Sequence, residues 1–125
     1  MSKVSLVIAA LNEASTVAGV VQAAVASQLF REVVVVDDGS TDSTADAARI
    51  AGASAVIQVN PNRGKANAMR EGLKCITAPL VLYWDSDLVG STDQHFAAVI
   101  SPVARGDAEM AVGILPSLGQ RLAPA

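Results

Sequence analysis

Short apolar runs alternate with alanine-rich stretches along the chain. Val4 to Ala10, Val33 to Val36, Ala55 to Val59, Leu80 to Trp84 and Met110 to Ile114 have strand length and are bounded by polar or turn residues. The intervening spacing predicts helices over Ser15 to Gln28, Thr41 to Ala51 with Gly52 as its stop, Lys65 to Cys75, and Thr92 to Ala104. Ser91 and Gln94 would form a capping box for the fourth helix. Alternation this regular implies right-handed crossovers, hence an α/β fold: a mostly parallel sheet with helices on both faces. There is no internal repeat and no linker, so residues 1–114 read as one domain and residues 115–125, with two prolines and a glycine, as an irregular tail.

The polar residues gather where this pattern ends each strand. Asn12-Glu13 follows the first, Asp37-Asp38-Gly39-Ser40-Thr41-Asp42 the second, Asn60 to Lys65 the third and Asp85-Ser86-Asp87 the fourth. In a parallel sheet all four clusters fall on one edge, the carboxyl edge, where open α/β sheets bind ligands.

Each cluster has a chemical and a structural reading. Residues i and i+2 of an extended segment point to one side, so Asp85 and Asp87 can face one pocket. Two carboxylates suit Mg2+ or Mn2+ when a diphosphate supplies further hard oxygen ligands; otherwise the pair is a solvated acidic loop. The adjacent Asp37 and Asp38 repel each other unless a ligand, a cation or hydrogen-bond donors compensate. For Asp38 the favoured partner is a ligand N–H such as a uracil imide, whereas Ser40, Thr41 and Asp42 read as helix-start residues.

Asn62-Arg63-Gly64-Lys65 opens a helix, where backbone amides and cations favour an anion. It is not a Walker loop, because no glycine lies five residues before Gly64 and Ala66 stands where Ser or Thr is required. Lys65 is the better phosphate contact; Arg63 reads equally as a solvated helix start. Glu13 either reaches a ligand or favours the helix it precedes through the dipole. His95 reads as a surface or capping residue, and Cys75 and Trp84 as packing residues.

Composition narrows the partners. Only 3% of the residues are aromatic, the net charge is −3 and no Lys/Arg cluster occurs, so the electrostatic footprint of a nucleic-acid binder is missing. A lone Cys75 rules out an intrachain disulfide, and the cytoplasm is the expected compartment. The first apolar run stops at Asn12-Glu13 without a signal-peptide cleavage pattern, and no run approaches the roughly 20 residues of a spanning helix.

The four clusters in this order resemble glycosyltransferase family two and its retaining relatives. The string Val4 to Glu13, then Val33 to Thr44 with Asp37-Asp38-Gly39-Ser40, then Asn62-Arg63-Gly64-Lys65 through Gly72, then Asp85-Ser86-Asp87-Leu88 carries the likeness over residues 4–114. Within the family, the chain resembles dolichol-phosphate mannosyltransferases and glucosyl-3-phosphoglycerate synthases. The resemblance implies the Rossmann-like, nucleotide-sugar-binding half of a GT-A fold, and a donor of the nucleotide-diphosphate-sugar type: a UDP-sugar first, GDP-mannose second. It implies donor contacts from Ala10, Asn12, Glu13, Asp38, Lys65, Asp85 and Ser86, and a divalent metal on Asp87 and Asp85, with Asp87 the first choice for coordination. Ala9 stands where many relatives have proline. The family's acceptor-binding half and catalytic base would lie beyond Ala125; Asp107 and Glu109 precede the fifth strand, at the wrong sheet edge to replace that base. The acceptor and the catalytic residue are therefore unassigned, and transfer by this chain alone is not expected.

Three rivals share parts of the pattern. A phosphoacceptor receiver domain has this length but needs its acidic pair after strand one and a lysine after strand five. Asp85-Ser86-Asp87-Leu88-Val89 also matches the opening motif of haloacid-dehalogenase phosphatases, yet too little chain follows it. A non-catalytic domain that binds nucleotide, or self-associates as a homo-oligomer through an unfinished sheet edge, is the third.

Overall fold

The computed structural model describes residues 2–111. Four strands, β1 (Val4–Ala10), β2 (Val33–Asp37), β3 (Ala55–Gln58) and β4 (Leu80–Asp85), alternate with α1 (Val17–Ser27), α2 (Thr44–Ala51), α3 (Lys65–Leu73) and α4 (Asp93–Ala104). They form one sheet in the order β3-β2-β1-β4, with every neighbouring pair parallel.

β1 and β2 are the inner strands, and this is why their sequences are almost uninterrupted aliphatic runs. Leu6, Ile8 and Ala10 of β1, with Val33 and Val35 of β2 and Leu82 of β4, pack on one face against Val17, Val20, Val21 and Ala24 of α1, Ala48 of α2 and Phe96 of α4. Val7, Val34 and Val36 point the other way and meet Ala68 of α3. Each fully buried Val, Leu or Ile contributes about 1.5–3 kcal/mol, so the central strands hold the domain together. Phe96 is fully buried, with the rings of Phe30 and Trp84 centred 5.3 and 4.8 Å away.

The four strands predicted within the described residues form where the pattern puts them. Helix starts are where the sequence reading slips. α1 begins at Val17 rather than Ser15, and α2 at Thr44 rather than Thr41, because the residues before them are spent on turns. At α4 the capping box is Thr92 with His95, not Ser91 with Gln94: Thr92 Oγ1 accepts from the His95 amide and His95 Nδ1 accepts from the Thr92 amide. Ser91 Oγ instead accepts from Trp84 Nε1 and donates to the Leu88 carbonyl, fastening the loop after β4. Cys75 is exposed rather than packed, just past the end of α3. Met110 and Ala111 are not in a strand; the rest of the expected fifth strand and the tail, residues 112–125, lie outside the described residues. No helix among the described residues is long and apolar enough to cross a membrane.

Two contacts tie the periphery to the sheet. α3 lies so close to the sheet at Gly72 that a side chain there would collide with Val7 Cγ1 and press within 3.3 Å of Val36 Cγ2. At the amino edge, the Glu32 carboxylate accepts from the buried Ser5 hydroxyl and from both the amide and the hydroxyl of Thr77. Those bonds, the Ser5 hydroxyl foremost and then the Thr77 amide, hold the Glu32 carboxyl below its ordinary range.

Gly72→Ala should destabilise the domain by about 1–3 kcal/mol in urea unfolding through overpacking. This opposes the usual gain of roughly 1 kcal/mol for Gly to Ala inside a helix. Because the folded-state pKa of Glu32 is depressed, its stabilisation is present above the unfolded-state value and disappears as pH falls through the folded one. Thermal melts should therefore show a smaller acid-induced fall in Tm for Glu32→Gln than for wild type, starting from a lower Tm at neutral pH.

Candidate functional site

The strand order has a reversal at β1. The chain moves outward from β1 to β2 to β3, then returns to place β4 on the other side of β1. Such a switch point opens a crevice beyond the carboxyl ends of the two diverging strands. Register puts Ala9 beside Asp85 and Ala10 beside Asp37, so the end of β1 lies between the two acidic strand ends. A depression of about 460 Å³ opens there, lined by Ala9, Ala10, Leu11, Glu13, Asp38 and Asn62, with Gly64, Lys65, Asp85, Ser86 and Asp87 completing the wall. Small residues at positions 9 and 10 leave its floor clear.

Asp85 is the last residue of β4. It alternates onto the face shared with Tyr83 and Val81, which is the face α3 covers. Lys65, the first residue of α3, reaches it, and its Nζ donates to Asp85 Oδ1. Both partners are open to solvent, with side-chain exposures of 63% for Lys65 and 44% for Asp85, so the pair itself adds little stability. Ser86 and Asp87 are in a turn, not in extended strand. The alternation expected to align the two carboxylates thus stops at Asp85; it is the turn that brings Asp87 to the same wall.

Asp38 is 4% exposed, and its carboxylate is already well supplied with donors. Oδ1 accepts from the Arg63 amide at 2.9 Å; Oδ2 accepts from the Gly64 amide at 2.9 Å and Asn62 Nδ2 at 3.0 Å. Asn62 Nδ2 also donates to the Asp38 carbonyl at 2.8 Å. Beside it, Gly39 has φ 86° and approaches Asn62 so closely that a Cβ would lie 2.7 Å from the Asn62 nitrogen. The Asp38-Gly39 turn therefore clamps the loop that launches α3. Asp37, also buried, accepts from the Ser40 amide at 3.0 Å, so the repulsion between the adjacent acids is offset by backbone donors.

Asn12 does not line the depression. It has φ 52°, and its Oδ1 accepts from the Thr41 amide and hydroxyl while its own amide donates to Ser40 Oγ. It splices the end of β1 to the loop after β2. Asp42 is structural, as its sequence position suggested: it accepts from the Thr44 amide and hydroxyl and from the Ala14 amide, and the Thr44 hydroxyl leads the bonds that lower its pKa. The Glu13 carbonyl accepts from the Thr16 and Val17 amides at the start of α1, and the residue lines the depression. The Arg63 side chain is not part of the lining. Leu11 is a lining residue not singled out from sequence, and Asn62 and Gly64, read from sequence only as part of a helix-opening motif, also line the depression. Gly64 carried a signal, since a glycine directly before a helix often marks positive φ, here 95°.

The site can hold a divalent cation only with help. Among the described residues no group of three or more His, Cys, Asp or Glu could hold one. Two carboxylate groups at one wall, hard oxygen donors open to an exposed depression, fit a cation whose remaining ligands come from a diphosphate.

Fold and site together define an α/β domain with an acidic, solvent-open depression at a parallel-sheet switch point. The chain belongs to glycosyl transferase family 2, whose family model matches residues 5–121. It is 33% identical over 112 residues to glucosyl-3-phosphoglycerate synthase of Mycolicibacterium smegmatis, covering 83% of this chain and 37% of that protein. It is 40% identical over 88 residues to the succinoglycan biosynthesis protein ExoU of Rhizobium meliloti, covering 67% of this chain and 26% of the other. The sheet and its helices match GT-A glycosyltransferase structures. Mycobacterium tuberculosis glucosyl-3-phosphoglycerate synthase, in complex with Mn2+, UDP-glucose and phosphoglyceric acid, superposes with a TM-score of 0.74 at 29% identity, over 85% of this chain and 40% of that one. The same enzyme has also been solved with Mg2+ and UDP. The chain thus spans less than half the length of these relatives.

Asp38→Ala should leave the Arg63 and Gly64 amides without their acceptor, while Asn62 Nδ2 keeps the backbone carbonyl of residue 38, costing about 2–4 kcal/mol in urea unfolding. Amide hydrogen exchange should rise first at Arg63 and Gly64, ahead of the β1 amides.

Proposed function

We propose that this chain carries the nucleotide-diphosphate-sugar-binding half of a glycosyltransferase, which presents its donor to an acceptor hydroxyl or phosphate. The observation that carries the proposal is the meeting of Lys65, Asp85 and Asp87 around one depression at the β1/β4 switch point. A UDP-sugar is the favoured donor, supported by the UDP and UDP-glucose complexes of a relative at 29% identity; GDP-mannose ranks second.

In this reading the base and ribose lie toward Ala10, Glu13 and Asp38. Asp38 Oδ1 accepts one bond within the protein and keeps a lone pair for an imide N–H, while its other bonds hold the wall rigid. Lys65 faces the diphosphate. Asp85, Ser86 and Asp87 face the diphosphate and sugar, with Asp87 and Asp85 as carboxylate ligands of Mg2+ or Mn2+. When bound, the cation acts as a Lewis acid that neutralises the charge growing on the departing diphosphate. The protein's own part is positional: the clamp by Asp38 and Gly39 fixes the start of α3, and the turn after β4, fastened through Ser91 and Trp84, fixes Asp87. Rigid donors and acceptors aimed at the developing charge are what such a site contributes to rate.

The receiver-domain alternative is disfavoured by topology. Receiver-like sheets run 2-1-3-4-5, whereas here β2 separates β1 from β3.

Titration calorimetry should show UDP-glucose binding strengthened by Mn2+, with Asp87→Ala weakening the Mn2+-supported binding by roughly tenfold or more, about 1.4 kcal/mol. Equal, metal-independent binding by wild type and Asp87→Ala would remove the metal assignment.

A further inference from the structure

Four carboxylates, Glu13, Asp38, Asp85 and Asp87, and a single cation, Lys65, line the depression. The Asp38 carboxylate is satisfied by backbone donors, whereas Asp85 is held by the Lys65 ammonium. This pair is unusual for the site in being built from one fixed and one free end. The Lys65 backbone is fixed by the clamped loop before it, whereas its side chain is 63% exposed and free to swing on its four-carbon stem. An ammonium is a compact charge on a flexible stem, suited to exchanging one anion for another.

Resting on the donor-site reading above, we propose that Lys65 is a positioning residue that stands in for the divalent cation. Without donor it neutralises Asp85 and competes with metal for that carboxylate. When a diphosphate enters, its charge draws the ammonium away and releases Asp85 to the metal that the diphosphate also ligates. Donor and metal binding are thereby coupled through a single side chain, and by linkage each strengthens the other. The coupling also weakens metal binding at the two-carboxylate site until the donor arrives.

The pair is solvent-exposed, so the effect is modest and has a distinctive sign. Mn2+ binding to the nucleotide-free protein, followed by the paramagnetic resonance signal of free Mn2+, should be about two- to fivefold tighter for Lys65→Met than for wild type. UDP binding measured at saturating Mn2+ should be weaker for the same variant, and the factor by which Mn2+ improves UDP affinity should shrink. Lys65→Arg, which keeps the charge, should bind Mn2+ like wild type. If Lys65→Met binds Mn2+ no better than wild type while losing UDP affinity, and Asp87→Ala still abolishes metal dependence, the stand-in role is overturned and the donor site survives. If wild type shows no Mn2+-dependent UDP binding, the donor-site reading falls and this inference with it.

Discussion

Everything at the site depends on β1 being hydrogen-bonded in parallel on both sides. Its register with β2 and β4 sets Ala10 beside Asp37 and Ala9 beside Asp85, and so fixes how far apart the two acidic loops begin. A strand buried on both faces cannot slip by one residue without turning its whole aliphatic set to the wrong side. Leu6 and Ile8 must meet α1, and Val7 must meet α3. The hydrophobic ladder therefore acts as the ruler for the polar edge.

On that ruler the loops are held by backbone donors rather than by opposite charges. Asp37 accepts an amide hydrogen within its own loop, Asp38 from the loop after β3 and Asp42 from the loop after β1, and Asn12 joins the β1 end to the same group. An acidic edge assembled this way stays negative and rigid at once, an arrangement that suits a cation. It also divides the acids by task. Those enclosed by amides fasten the loops, and those at and just past the end of β4, Asp85 and Asp87, line the depression.

The order of strands and helices was legible because both central strands bury two faces and so read as plain aliphatic runs. The shared edge of the four polar clusters followed from parallel topology alone. Less legible were the helix starts, where Ser, Thr and Asp offer several competing caps within a few residues. Ser91 and Thr92 are both capping residues by type. What chose between them was Trp84, whose indole N–H takes Ser91 and leaves Thr92 to His95. That contact spans seven residues and a change of element, beyond the reach of local pattern.

By itself the sequence determined the α/β class, the family likeness and the list of acids and amides gathered at one edge, since hydrophobic period and motif order are properties of the chain. Tertiary structure decided how each of them is used. It bonded Asn12 to the loop after β2, enclosed Asp38 in loop amides, brought Asp87 round by a turn and set Lys65 against Asp85. The reason is physical: which donor meets which carboxylate depends on distances between residues 20 to 30 positions apart, and those distances exist only once the sheet has closed.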